Sequence, residues 1–130
     1  MVVKTYRGQL ADDGQDRIRL RTIKGKVGYR IAKFEVISTT PTASVESVLQ
    51  IWRALQTSAV ATIDFASSTL LGVGMWTSSA DAYSKSEGMV IIFDSEIFNQ
   101  DIFITHKLTH GSGSACNYYL ELEVIPLASD

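Results

Sequence analysis

Cysteine is nearly missing from this chain: Cys116 stands alone among 130 residues, so no disulfide can close within it. That suits a reducing compartment, and with no basic-then-apolar leader ahead of Val2, secretion is not expected. No apolar run approaches the roughly 18 residues a membrane-spanning helix requires, so no membrane partner is predicted. Proline is scarce, with two residues, and the nine glycines follow no period, which excludes collagen-like and low-complexity architectures. The motifs of common chemistries are lacking as well. His110-Gly111-Ser112-Gly113-Ser114 faintly resembles an oxyanion loop, but no G-x-S-x-G lies between a strand and a helix. Gly72-Val73-Gly74 lacks the third glycine and the helix of a phosphate cradle.

What remains is ordinary globular material. Hydrophobic residues make up 45% and charged residues 20%, too apolar for a disordered segment. A chain of this length forms one domain, 1–130, and hides about two-thirds of its unfolded surface without staples. Net charge is only −2, yet it is unevenly spread. Met1 to Lys33 carry nine basic residues against Asp12, Asp13 and Asp16, a balance of +6; Phe34 to Asp130 carry three basic against eleven acidic residues, a balance of −8. Basic strands pairing with an acidic strand such as that of Glu121 and Glu123 would explain the split. Complementary subunit faces, or a surface addressed to nucleic acid, are the functional alternatives, nucleic acid being the less favoured partner.

Alternation dominates the pattern. Val2 to Gln9 forms a first candidate strand, and Asp12-Asp13-Gly14 a turn in which glycine would take the positive φ. Arg17-Ile18-Arg19-Leu20-Arg21 alternates without fault. Between Val27 and Ser38, Tyr29 and Ile31 lie in one phase and Phe34 and Val36 in the other, so a bulge near Lys33 is expected. Val45, Val48, Leu49, Trp52 and Leu55 fall at helical spacing, while Val48, Gln50, Trp52, Ala54 and Gln56 also read as strand; strand-like neighbours decide for strand. Ala59 to Phe65 is read as its return. Gly72 and Gly74 within Leu70 to Trp76 suggest a bulge or a close backbone approach. Ser78 to Gly88 is a polar loop long enough for contacts. Met89 to Phe93, Gln100 to His106 and Tyr118 to Val124 complete the strands, Pro126 ends the last, and Ile97 and Phe98 are expected to cap the core. About nine short strands predict an all-β fold, an antiparallel β-sandwich of jelly-roll type.

Candidates for chemistry are few. His106, His110 and Cys116 carry zinc-ligand side chains, but no fourth ligand follows at a recognisable spacing. Asp94, Glu96 and Asp101 cluster in sequence and more naturally cap turns than hold calcium or exchange protons. Trp52, Trp76, Tyr118 and Tyr119 are not interleaved with basic residues, so they read as core or rim rather than base-stacking platforms. No catalytic residue, cofactor or metal is predicted.

Tyr6-Arg7-Gly8, Arg17-Ile18-Arg19-Leu20, Lys24-Gly25-Lys26-Val27-Gly28-Tyr29, Asp64-Phe65 with Leu70-Leu71-Gly72, Ile92-Phe93-Asp94 with Glu96 to Ile102, and Asn117 to Glu123 span nearly the whole chain. Together they resemble a family of small β-rich virion proteins of marine tailed bacteriophages. The resemblance implies a β-hairpin in the ambiguous 45–65 region and a non-enzymatic capsid or capsid-decorating subunit. Taken with the many short strands and the split of charge, it leads to the expectation of a symmetric homo-oligomer that contacts other virion proteins such as a major capsid protein, located in the virion after assembly in the host cytoplasm. It carries over no catalytic residues. Expected contact residues are Arg17, Arg19 and Arg21, Tyr83 in the long polar loop, and Glu121 and Glu123. A carbohydrate- or receptor-binding module of a tail or fibre is the alternative, with Tyr83, Trp76 and Asp81 presented at one end of the sandwich.

Overall fold

Strict alternation of apolar and polar side chains makes one face of a strand hydrophobic, and two such faces hide their apolar surface by packing together. A computed structural model describes residues 2–20, 26–81, 86–93 and 96–127, and those residues form eight strands. They are β1 (Val2–Leu10), β2 (Gln15–Ile18), β3 (Val27–Ser38), β4 (Val45–Trp52), β5 (Leu70–Ser78), β6 (Glu87–Ile92), β7 (Ile102–His110) and β8 (Cys116–Pro126). One sheet has the order β1-β8-β3 and the other β2-β7-β4-β5-β6, all pairings antiparallel. β1 pairs with β8, β2 with β7 and β4 with β5, while β3 lies beside β6 without a ladder. A long antiparallel ribbon wound about a barrel gives this pairing of early strands with late ones, the arrangement of a jelly roll.

The core fills the space between the sheets. Tyr29, Ile31, Phe34, Val36, Leu120 and Leu122 from one sheet meet Leu49, Ile51, Leu71, Ile102 and Ile104 from the other. β3 covers the expected span and shifts register between Ile31 and Lys33, so the bulge returns Phe34 and Val36 to the face that Tyr29 and Ile31 occupy. At Gly74 the facing sheet leaves no room for a side chain: a Cβ there would lie 2.9 Å from both Phe34 Cε2 and Val36 Cγ1. At the end of the sandwich Phe98 caps the core and exchanges backbone hydrogen bonds with Tyr29 at 2.7 and 2.9 Å, whereas Ile97 stays exposed.

Three expectations need correction. The tight turn after β1 puts Asp13, not Gly14, at φ 65°; aspartate is among the few residues that tolerate this region, and Gly14 is needed because a Cβ would meet the Ala11 carbonyl oxygen at 2.8 Å. Residues 45–52 are strand, as expected, but Ala59 to Phe65 is not the returning strand. That role falls to β5, which pairs with β4 from Val45↔Ser78 to Trp52↔Leu70. Segment 53–69 instead crosses the outer face of the five-stranded sheet, held by the Gln50 side chain, whose Nε2 donates to the carbonyls of Val60 and Thr62 at 3.0 and 3.1 Å. The strand count is therefore eight among the described residues rather than about nine.

Candidate interaction surfaces

The outer face of the three-stranded sheet follows directly from register. Opposite residues of antiparallel strands share a face, and the rows across it are Val3–Glu123–Arg30, Thr5–Glu121–Lys33, Arg7–Tyr119–Glu35 and Gln9–Asn117–Ile37. Charge is largely settled within these rows. Arg30 pairs with Glu123 at 2.7 Å, Lys33 lies opposite Glu121, and the Tyr119 hydroxyl donates to Glu121 Oε2 at 2.6 Å, which raises the tyrosine's pKa. The basic first quarter of the chain and the acidic remainder thus meet inside one sheet. Between the last two rows lies a groove of about 510 Å³, lined by Arg7, Gln9, Glu35, Ile37, Asn117 and Tyr119 over the backbone of Gly8 and Tyr118.

The outer face of the five-stranded sheet is built differently. Its rows run Lys107–Val48–Met75–Met89 and Thr105–Gln50–Val73–Ile91. Trp52, Leu70 and Val73 form a second apolar cluster there with Met75, Phe93 and Phe103, on the side away from the main core. Segment 53–69 lies over part of it: Gln15 and Gln56 tie its start to β2, and Phe65 meets Phe93 edge-on with ring centroids 5.1 Å apart. The segment's own apolar side chains point outward. Leu55 is 69% exposed, Phe65 54%, and Met89 and Ile91 on β6 58% and 42%, with Val60 and Ile63 also exposed.

Of the expected contact residues, Arg17 on β2, an edge strand of the five-stranded sheet, and Arg19 just after it are exposed, and Arg17 bonds Asp101 at 2.7 Å and lies over the Phe103 ring. Glu121 and Glu123 lie on the polar face just described, away from Arg17. Arg21 and Tyr83, like Asp94, fall outside the described residues. Trp76 does not present itself to a ligand at the loop end: it is 9% exposed and faces the core, while Asp81 is exposed. Register explains this, because Trp76 opposes the inward-facing Ser47.

The cluster of potential metal ligands is divided by the fold. His106 and Cys116 are fully buried and His110 is exposed at the end of β7. His106 Nδ1 faces the carbonyls of Leu10 and Ala11 at 2.9 and 3.2 Å, acceptors only, so Nδ1 carries the proton and Nε2 accepts from Ser47 Oγ at 2.9 Å. Burial pushes the pKa of the Cys116 thiol up to about 11. Ser47 and His106 of one sheet are thus joined through the core to the Leu10 carbonyl of the other, and the buried thiol beside them is inert, with no access for substrate. Glu96 pairs with Arg53, while Asp101 accepts from the Leu20 N–H and Arg17, so these carboxylates serve separate elements. Among the described residues no group of three metal-ligating side chains gathers, and no helix is long and apolar enough to cross a membrane.

Sequence reasoning missed the groove. Its signal was available in β8, where Asn117 and Tyr119 share the outward phase of Glu121 and Glu123. Compared with protein-family models and with curated proteins, the chain matches none.

Proposed function

We propose that this protein is a non-enzymatic structural subunit, a capsid or capsid-decorating protein that assembles as a symmetric homo-oligomer. The observation that carries the assembly is the exposed apolar surface of β6 and segment 53–69. Contiguous apolar patches of this kind mark protein contacts. Phe65, Ile63, Val60, Met89 and Ile91 give an apolar centre, and Asp64, Thr62 and Glu87 give a polar rim, the anatomy of a specific interface. A second copy is the occupant we favour, because an isologous contact needs only one self-complementary patch on each subunit, of about 800 Å² per partner.

The virion setting rests on the sequence resemblance given above, and the jelly-roll winding agrees with it without demanding it. Static light scattering of the wild type and of the Phe65→Asp/Ile91→Asp variant tests the assembly: an oligomer that becomes a folded monomer supports it, and a wild-type monomer at high concentration defeats it. Cross-linking of purified particles tests the location, which fails if the chain is absent from them.

A further inference from the structure

We propose that the outer face of the β1-β8-β3 sheet is a binding site for a neutral oligosaccharide, seated in the groove between the Arg7–Tyr119–Glu35 and Gln9–Asn117–Ile37 rows. The groove's volume, about 510 Å³, falls within the range of small-ligand sites, roughly 300 to 1,000 Å³. Its side chains are fixed on three paired strands rather than on loops, so their spacing is set before a ligand arrives.

The lining selects among ligand classes. Tyr119 and the half-exposed Ile37 offer apolar area on the central strand and one flank, against which the C–H face of a pyranose can pack. The amides of Gln9 and Asn117 bond to each other at 3.0 Å. That bond uses one donor and one acceptor, and leaves an amide donor and an amide acceptor available on the same row whichever way the two amides are turned. A neighbouring donor and acceptor is what vicinal hydroxyls require. Arg7 makes no ion pair among the described residues, and Glu35 is held by Lys33 at 3.6 Å, both being exposed.

Charge excludes the competing classes. One cation and one anion line the groove, and the rows beyond it set Lys33 and Arg30 opposite Glu121 and Glu123, so the face offers no excess of positive charge to hold a phosphate or sulfate polymer. A wholly apolar ligand would bury the two amides and Arg7 without partners, at the cost such groups incur when desolvated. A polyol with apolar faces satisfies every group present. The inference is independent of the assembly reading, since this groove and the apolar patch occupy opposite outer faces of the sandwich.

The test is a heteronuclear NMR titration of the full chain with cellohexaose, maltohexaose, xylohexaose, mannohexaose and chitohexaose at millimolar concentration. At least one should shift amides confined to residues 7–9, 35–37 and 117–119. Tyr119→Ala should then weaken that binding by more than about tenfold, as loss of a central aromatic anchor does, with the core amides of Leu49 and Ile104 in the other sheet unmoved; Gln9→Ala, on the edge strand, should weaken it several-fold. The proposal is overturned if none of the five shifts these amides, if the shifts survive Tyr119→Ala in a folded protein, or if heparin hexasaccharide binds the face more tightly than all of them.

Discussion

The two outer faces of this sandwich are made from the same pleated backbone, yet one is closed chemically and the other is left open. On the β1-β8-β3 face, acids and bases in neighbouring strands meet one another, as Arg30 and Glu123 do at 2.7 Å. Over the five-stranded sheet, Val48, Trp52, Leu70 and Val73 are apolar on the side away from the core, and the chain covers them with its own segment 53–69. That cover moves the apolar problem outward, since Phe65, Leu55, Val60 and Ile63 are exposed in turn. A strand apolar on both faces requires a third layer, either from its own chain or from a partner.

The largest effects are expected between the sheets. Gly74→Val places a branched side chain against Phe34 and Val36 and should cost about 3 kcal/mol or more, since overpacking forces both sheets apart; urea denaturation would show a lower midpoint, and an unchanged one would mean that the sheets slide easily. Next comes the buried chain that ties them. Ser47→Ala leaves His106 Nε2 without a donor inside the core and should lose about 1–3 kcal/mol by the same assay. Gln50→Leu releases segment 53–69 from the apolar face, with an expected loss of about 1–2 kcal/mol for two hydrogen bonds. Limited proteolysis between residues 57 and 66 should accelerate, and equal cleavage rates would show that the segment is held by other contacts.

On the polar face the effects are smaller. Glu123→Gln removes the partner of Arg30, itself partly exposed, and should change stability by less than about 1 kcal/mol, with the difference shrinking in high salt. The smallest effect concerns pH. Burial works against ionisation of Asp101, but the Leu20 N–H bond and Arg17 outweigh it and hold the carboxyl below its ordinary range. A folded pKa below the unfolded one contributes stability that is complete above the unfolded value, about 3.9, and disappears as pH falls through the folded value. The urea midpoints of wild type and Asp101→Asn should therefore differ at neutral pH and converge in acid; a gap that persists at low pH would mean that Asp101 acts through packing alone.

Much of this fold was legible residue by residue. In β8 the inward Tyr118, Leu120 and Leu122 and the outward Tyr119, Glu121 and Glu123 follow their order in the chain, and the phase change across Lys33 located the bulge in β3. Val45 to Trp52 was harder, because a strand buried on both sides loses the period of two that distinguishes it from a helix. The loop over that strand was unreadable for a related reason: Ala59 to Phe65 alternates like a strand, but the carbonyls of Val60 and Thr62 are taken by a side chain, that of Gln50, 10 and 12 positions earlier in the chain. Of the candidate surfaces, the acidic row with Glu121 and Glu123 was named and the groove beside it was not, since Gln9, Ile37 and Asn117 come together only through pairing of β1 and β3 with β8.

The sequence by itself determined the class of structure and the side of each strand that faces inward, because pleating makes side-chain direction a matter of counting. It also determined that acid and base would meet, by placing them on different strands. Only the tertiary structure decided which strands are neighbours, that Trp76, His106 and Cys116 are interior while Phe65 and Ile91 are not, and where a groove opens. Those outcomes depend on contacts between residues far apart in the chain, and such contacts are set by how two sheets close over one another, which no local pattern encodes.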